Sequence, residues 1–315
     1  MGAGAGRRRV EEPNVQPVLE ARDLTKHYGA TVGLEALDLT VEPGEVLGFL
    51  GPNGAGKTTT IRLVLDLIRP TRGEALLFGR PTRDPRSRAS VGYLPGELEL
   101  DERLTGTELL ELVDALRPDG TRPGDPARRH ELCERLALTA ADLARRIRDD
   151  SRGTKQKIGL VAALQRDPDL LVLDEPTTGL DPLAREEVFA LLREAGEAGR
   201  AVFHSSHVLS EVDRTCNRVA VLRAGRLVAL ERIDALRASL TRRMAVRFHG
   251  EAPRGELEAA GARFVDGSSG REAVVEVTGE LDPLLAVLAR HPVAHLVFPE
   301  PQLDEAFRHL YRDAP

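Results

Sequence analysis

Apolar residues in the first two thirds of the chain come in short unbroken blocks separated by longer stretches of mixed polarity. Glu45–Leu50 (EVLGFL), Leu170–Leu173 (LLVL), Ala201–Ser205 and Arg218–Leu222 predict buried strands, since a strand covered by helices on both faces has no polar side to show. Val18–Leu24 and Leu37–Val41 read as further strands. Lys57–Ile68, Thr107–Ala115 and His130–Leu138 space their apolar residues as helices do. Arg117–Arg129 (RPDGTRPGDPARR) is rich in proline, glycine and charge and reads as a solvated loop. Residues 18–240 therefore predict an α/β domain with an all-helical insertion over about 97–151.

The pattern changes after about residue 241. Met244–His249 alternates as a strand, Glu256–Ala262 is helical, Arg263–Asp266 and Ala273–Val277 are strand-like, Asp282–Arg290 is helical and Val293–Phe298 is again a strand. That order, β-α-β-β-α-β, is the split βαβ pattern of a small ferredoxin-like α+β domain, here residues 241–315, closed by a helix over Leu303–Tyr311. Residues 1–17 are a polar tail: no apolar stretch follows Arg7-Arg8-Arg9, which argues against a signal peptide. The opening MGAGAG lacks the hydroxyl residue of a myristoylation site.

Composition narrows the function classes. With 315 residues, 41% hydrophobic and 30% charged, the chain can bury a sizeable core, and a net charge of −6 gives no footprint for nucleic acid. Cys133 and Cys216 form neither a metal pattern nor a disulfide framework, as suits a reducing cytosol. No apolar run approaches the ~20 residues of a membrane span, so a membrane role would run through a partner.

Gly51-Pro52-Asn53-Gly54-Ala55-Gly56-Lys57-Thr58 satisfies G-x-x-x-x-G-K-[ST], the phosphate-binding loop, between a predicted strand and a predicted helix. Glycine lets successive amides turn toward one phosphate chain, and the helix N-terminus adds its partial positive charge. Lys57 would reach the β- and γ-phosphates of a nucleoside triphosphate, and the Thr58 hydroxyl would take one Mg²⁺ position. A glycine-rich turn that binds nothing is the bland alternative; the order strand, loop, Lys-Thr, helix counts against it. Leu170–Leu173 runs directly into Asp174-Glu175. An Asp at the C-terminal tip of a parallel strand lies in the phosphate crevice and can hold Mg²⁺, and Glu175 can take the proton of an attacking water. Two solvated loop acids would be the plain reading of that pair, less apt after a wholly apolar strand.

Leu170–Pro182 (LLVLDEPTTGLDP) resembles the Walker B and D-loop segment of ATP-binding cassette (ABC) ATPases, and further features match in chain order over about residues 18–230. Tyr28 in LTKHYG matches the aromatic that stacks on adenine. Val91–Glu97 (VGYLPGE) matches the segment around the Q-loop, Ser151–Lys157 (SRGTKQK) the signature region, Asp181 the D-loop acid and His207 the switch histidine. The resemblance implies that ATP is bound by Tyr28 and by Gly51 to Thr59 (Gly51, Pro52, Asn53, Gly54, Ala55, Gly56, Lys57, Thr58, Thr59). It also implies that Thr58 and Asp174 hold Mg²⁺ and that Glu175 and His207 are catalytic. It further implies a dimer, with a homodimer the simplest form. In that dimer Ser151, Arg152, Gly153 and Asp181 serve the nucleotide of the opposite subunit. His204, at the same strand end as His207, reads as a structural histidine.

Two positions depart from the family pattern. The signature, usually Leu-Ser-Gly-Gly-Gln, is Asp150-Ser151-Arg152-Gly153-Thr154, and the Q-loop glutamine position is Gly96, with Glu97 one residue late. Both departures bear on hydrolysis more than on ATP binding. The βαββαβ tail, the SRGTKQK variant and the closing LDEAFRHLYRD resemble cassettes that serve drug- and antibiotic-export permeases. The leading expectation is thus an ATPase coupled to a separate integral membrane permease, peripheral on the cytoplasmic face of the membrane. A groove beside Gly96-Glu97, with space left by the glycine, would receive a helix of that permease; Leu98, Leu100 and Leu104 could line it, although core packing is the commoner fate of such leucines. A soluble ABC ATPase acting on a ribosome or repair complex is the alternative, without a basic stripe to support it. A nucleotide-binding module that does not turn over is a third, opposed by Glu175 and His207.

Overall fold

The structure, a computed structural model, describes residues 16–116, 123–239, 242–265, 268–277 and 281–299. In chain order the elements are β1 (Leu19–Tyr28), β2 (Thr31–Val41), β3 (Val46–Leu50), α1 (Lys57–Val64), β4 (Arg72–Leu77), β5 (Arg80–Pro81) and β6 (Val91–Leu94). Four helices follow: α2 (Gly106–Ala115), α3 (Pro126–Arg135), α4 (Ala140–Ala144) and α5 (Arg152–Leu164). Then come β7 (Leu170–Asp174), α6 (Pro182–Glu197), β8 (Ala201–Ser206), α7 (Leu209–Thr215), β9 (Arg218–Arg223), β10 (Arg226–Arg232) and α8 (Ile233–Ser239). The chain divides into two compact units between Leu230 and Glu231.

In the first unit β3, β7 and β8 are buried at every residue, which is why their sequences show no polar alternation. They lie in a six-stranded sheet ordered β10-β9-β3-β8-β7-β6, whose strands from β9 to β6 run parallel. Phe49 and Phe203 meet at its centre, ring centroids 5.1 Å apart. A second, antiparallel sheet, β2-β1-β4-β5, shares one apolar core with it and with α1. Register decides where chemistry can sit. Leu50 is the partner of Ser206 and Asp174 the partner of Ser205, so β3, β7 and β8 end at one edge, and the segments leaving them emerge together.

Several elements differ from the sequence expectations. The helix opening at Lys57 stops at Val64 instead of Ile68, because Asp66 takes a left-handed backbone, φ +58°. The loop expected over Arg117–Arg129 already gives way to α3 at Pro126: Asp125 caps its first turn and proline occupies the first helical position, where no N–H is needed. β4, β10 and the long helix α6, unremarked in the sequence, complete the unit. No helix among the described residues is long and apolar enough to cross a membrane.

The second unit contains β11 (Arg242–Phe248), α9 (Arg254–Ala259), β12 (Ala262–Phe264), β13 (Glu272–Val277), α10 (Asp282–Leu288) and β14 (Val293–Val297). Its strands pair antiparallel in the order β12-β13-β11-β14. Met244, Val246 and Phe248 alternate into a core with Leu257, Val275 and Leu284. The helix expected over Leu303–Tyr311 lies outside the described residues, as does the tail up to residue 15.

Candidate phosphate-binding and hydrolytic site

The loop after β3 can only be built with glycine at two of its positions. A Cβ on Gly51 would stand 2.6 Å from the Leu222 carbonyl oxygen. Gly56 has φ +108°, and a Cβ there would stand 2.5 Å from the Gly33 carbonyl oxygen. Gly56 is also the residue before α1, and no side chain caps that helix. Its first-turn amides are thus available to an anion. Pro52, Asn53 and Gly54 are exposed along the loop, Ala55 is buried beneath it, Thr58 is exposed and Thr59 half-buried. Lys57 is almost buried, and its ammonium donates to the Gly51 carbonyl at 2.6 Å.

Facing this loop is the tip of β7. Thr58 Oγ1 donates to Asp174 Oδ2 at 2.7 Å, and the Ser205 hydroxyl donates to Asp174 Oδ1. Glu175 holds a left-handed backbone, φ +52°, which is uncommon for a residue with a side chain. Its Oε2 lies 2.7 Å from His207 Nδ1; since a carboxylate only accepts, that nitrogen carries the hydrogen. Glu175 Oε1 makes no hydrogen bond and stands 3.4 Å from Lys57 Nζ. Sequence neighbours of three different strands are thus gathered within one cluster: a cation, two carboxylates, two hydroxyls and an imidazole. Such a cluster can bind a polyphosphate and draw a proton from a water beside it.

A hydroxyl and a carboxylate 2.7 Å apart are hard oxygen donors that fit Mg²⁺, an ion that takes one or two protein ligands and leaves the rest to phosphate and water. Among the described residues no group of three or more His, Cys, Asp or Glu gathers into a tighter metal site. Gly96 lies against the same carboxylate: a Cβ there would be 3.0 Å from Asp174 Oδ2. The open space expected beside Gly96 is therefore taken up by Asp174. Burial, and next the charge of Asp174, raise the phenol pKa of nearby Tyr93. Leu98 packs on α5 at Gly159, where an added Cβ would meet its side chain at 2.8 Å. Its place is in packing, not along an open groove.

Other expected residues lie further out. Tyr28 is 49% exposed, and its ring covers Gly33, whose carbonyl adjoins Gly56; Lys26 Nζ is 5.2 Å from the ring centre. Ser151, Arg152, Gly153 and Asp181 are grouped with one another and make no hydrogen bond or ion pair with residues 51–59 among the described residues. Ser151 caps α5, accepting from Thr154 N at 3.1 Å. Asp181 caps α6, accepting from Ala184 N at 2.9 Å. A Cβ on Gly153 would stand 3.0 Å from the Gly179 carbonyl, and the Arg152 side chain lies beside Gly179. His204 is buried, bonded to Thr215 and Cys216, and desolvation pulls its pKa down to about 4. It is a core residue.

Sequence reading missed three polar residues behind the site. Glu211 accepts from Thr177 Oγ1 at 2.8 Å and from Ser206 Oγ at 2.7 Å, joining the segment after Glu175 to the residue before His207. Gln156, buried on α5, donates to the Pro176 carbonyl at 3.0 Å. Ser205 is the third. The available signal was the pair Ser205-Ser206 closing an otherwise apolar strand.

Known proteins that the chain resembles share one family. The ABC transporter family model matches residues 34–178. An ABC transporter ATP-binding protein of Nostoc sp. is 40% identical over 236 residues, 72% of this chain and 70% of that protein. The daunorubicin/doxorubicin resistance ATP-binding protein DrrA of Streptomyces peucetius is 37% identical over 251 residues, 78% of this chain and 75% of that protein. The Nod factor export ATP-binding protein I of Cupriavidus metallidurans is 38% identical, covering 67% of this chain and 70% of that protein. A solved ATP-binding subunit of an ABC transporter superposes with a TM-score of 0.63 at 31% identity, over 70% of this chain and 92% of its own. A dimeric cassette solved with ADP and Pi superposes at 0.62 with 23% identity, over 68% and 98%, which speaks to fold alone.

Proposed function

Because the chain belongs to the ABC transporter ATP-binding proteins and is an ATPase of that family, we propose that it is the energy-coupling subunit of an exporter. Relatives named for daunorubicin resistance and for Nod factor export support export over uptake, with drugs or antibiotics as the cargo class. In this reading the chain pairs with a second nucleotide-binding subunit, most simply a copy of itself, and docks beneath a separate integral membrane permease on the cytoplasmic face. The second unit, with its β-α-β-β-α-β order and strand order β12-β13-β11-β14, is read as a ferredoxin-like accessory domain.

The cluster supports the following assignment of roles. Gly51 to Thr59 cradle the triphosphate with backbone amides, Lys57 meets the β- and γ-phosphates, and Tyr28 stacks on adenine. Thr58 and Asp174 hold Mg²⁺, which when bound neutralises charge on the phosphate oxygens. Glu175 takes the proton of the attacking water, and His207 orients that carboxylate while reaching toward the γ-phosphate. Ser151, Arg152, Gly153 and Asp181, grouped away from the loop, serve the partner's nucleotide. The observation that carries this reading is Glu175 held between Lys57 and His207. Inverted vesicles containing the chain and its permease should accumulate an anthracycline on adding ATP, and Lys57→Ala should abolish both accumulation and nucleotide binding. Accumulation that persists in Lys57→Ala would overturn the coupling.

A further inference from the structure

Ser205 is 0% exposed, yet it is polar and sits at the tip of β8 as the direct strand partner of Asp174. A serine hydroxyl has one hydrogen to give. Here it goes to Asp174 Oδ1, while Ser205 Oγ itself accepts the Glu175 N–H at 3.0 Å. The other oxygen of Asp174, a residue only 1% exposed, accepts the hydrogen of Thr58 at 2.7 Å. With that hydrogen committed, the lone pairs of Thr58 Oγ1 are left to face a cation. The Glu175 N–H bond fixes the backbone at the left-handed turn, φ +52°, from which the carboxylate meets His207 and Lys57.

We propose that Ser205 is a positioning residue for hydrolysis: its single hydroxyl sets the rotation of the Asp174 carboxylate toward Mg²⁺ and, at the same time, the backbone of Glu175. The inference rests on the assignment of Thr58 and Asp174 to the cation and of Glu175 to the attacking water. Removing the hydroxyl leaves Asp174 Oδ1 and the Glu175 N–H without their partner and frees the carboxylate to turn. A hydroxyl that merely satisfied buried neighbours would affect thermal stability and nothing else.

The test compares full-length Ser205→Ala, Ser205→Thr and Ser205→Cys, using Mn²⁺ as the probe cation. Mn²⁺ affinity with ATP present is read by electron paramagnetic resonance, metal-free binding by a fluorescent ATP analogue, and turnover as kcat and KM. Ser205→Ala should weaken Mn²⁺ by about 10–100-fold and lower kcat by a similar factor, the usual effect of losing an outer-shell partner. Metal-free nucleotide binding should stay as in the wild type, which also shows that the site is folded. Ser205→Thr keeps the hydroxyl and should restore both quantities. Where the alanine variant does not fold, Ser205→Cys, a weaker donor of similar shape, must still weaken Mn²⁺. Wild-type Mn²⁺ affinity in Ser205→Ala or in Ser205→Cys overturns the proposal, even with a lowered Tm. Asp174→Asn separates the two readings: if it leaves Mn²⁺ affinity unchanged, the cation assignment itself fails, and if it alone weakens Mn²⁺, only the role of Ser205 does.

Discussion

His207 Nδ1 lies 2.7 Å from Glu175 Oε2, across a gap of 32 positions in sequence. The contact exists because β7 and β8 are parallel neighbours ending at the same edge, and it leaves Glu175 Oε1 turned to Lys57. Glu175→Gln keeps the shape of the side chain but cannot accept a proton from water. Hydrolysis should fall by about 10²–10⁴ while ATP binding is retained. His207→Ala should act through the same carboxylate, so the double variant should be little worse than Glu175→Gln alone. Steady-state phosphate release from the two single variants and the double variant checks this; additive losses would show that the residues act separately.

The sequence made some of this site legible and hid the rest for physical reasons. The loop from Gly51 to Thr58 and the Asp174-Glu175 pair are local: steric demands on glycine and the end of an apolar strand are written in consecutive residues. Gly56, with φ +108° and a carbonyl 2.5 Å from where a Cβ would be, accepts no other residue type without strain. Ser205 and Gln156 act through partners 20 to 31 positions away, and Glu211 reaches Thr177 34 positions away, contacts set by strand order and helix packing. Gly96 looks open in the sequence because its neighbour Asp174 is distant along the chain. The start of α3 was legible in Asp125-Pro126 but masked by the surrounding proline, glycine and charge.

Glu211 should be a stability residue as well as a link between the two catalytic segments. Its carboxylate is nearly buried and accepts from Thr177 and Ser206. Glu211→Ala leaves both hydroxyls without that acceptor and should cost about 1–3 kcal/mol of folding stability. Urea denaturation measures the loss. Combination with Thr177→Val should recover part of it, since the second change removes one of the stranded groups; a purely additive double variant would deny the clamp.

His204 predicts a pH dependence whose sign is fixed by burial. Burial holds its pKa down to about 4 in the fold against an ordinary value of 6.5, so below pH 6.5 the unfolded chain takes up a proton that the folded chain refuses. The contribution is fully present above about pH 6.5 and is lost as pH falls toward 4, reaching about 3 kcal/mol. His204→Gln removes the titrating group. The difference in unfolding free energy between wild type and variant should therefore shift in the variant's favour between pH 7 and pH 4.5. A difference that does not change with pH would mean that His204 takes up its proton as readily in the fold as in the unfolded chain.

Removal of residues 241–315 should leave nucleotide binding intact. The two cores do not share residues: one is built from Val18 to Leu222 with Leu227 and Leu230 against it, the other from Met244 to Leu288 with Phe298 against it. Every group assigned to the nucleotide, from Tyr28 to His207, belongs to the first. Ending the chain at residue 240 also keeps β10 whole, so the edge of the parallel sheet is not cut. The truncated chain should bind a fluorescent ATP analogue with wild-type affinity, and any change should appear in turnover or self-association. A truncated chain with a cooperative unfolding transition but no ATP binding would show that the second unit supports the site, and the division of labour between the two units would have to be redrawn.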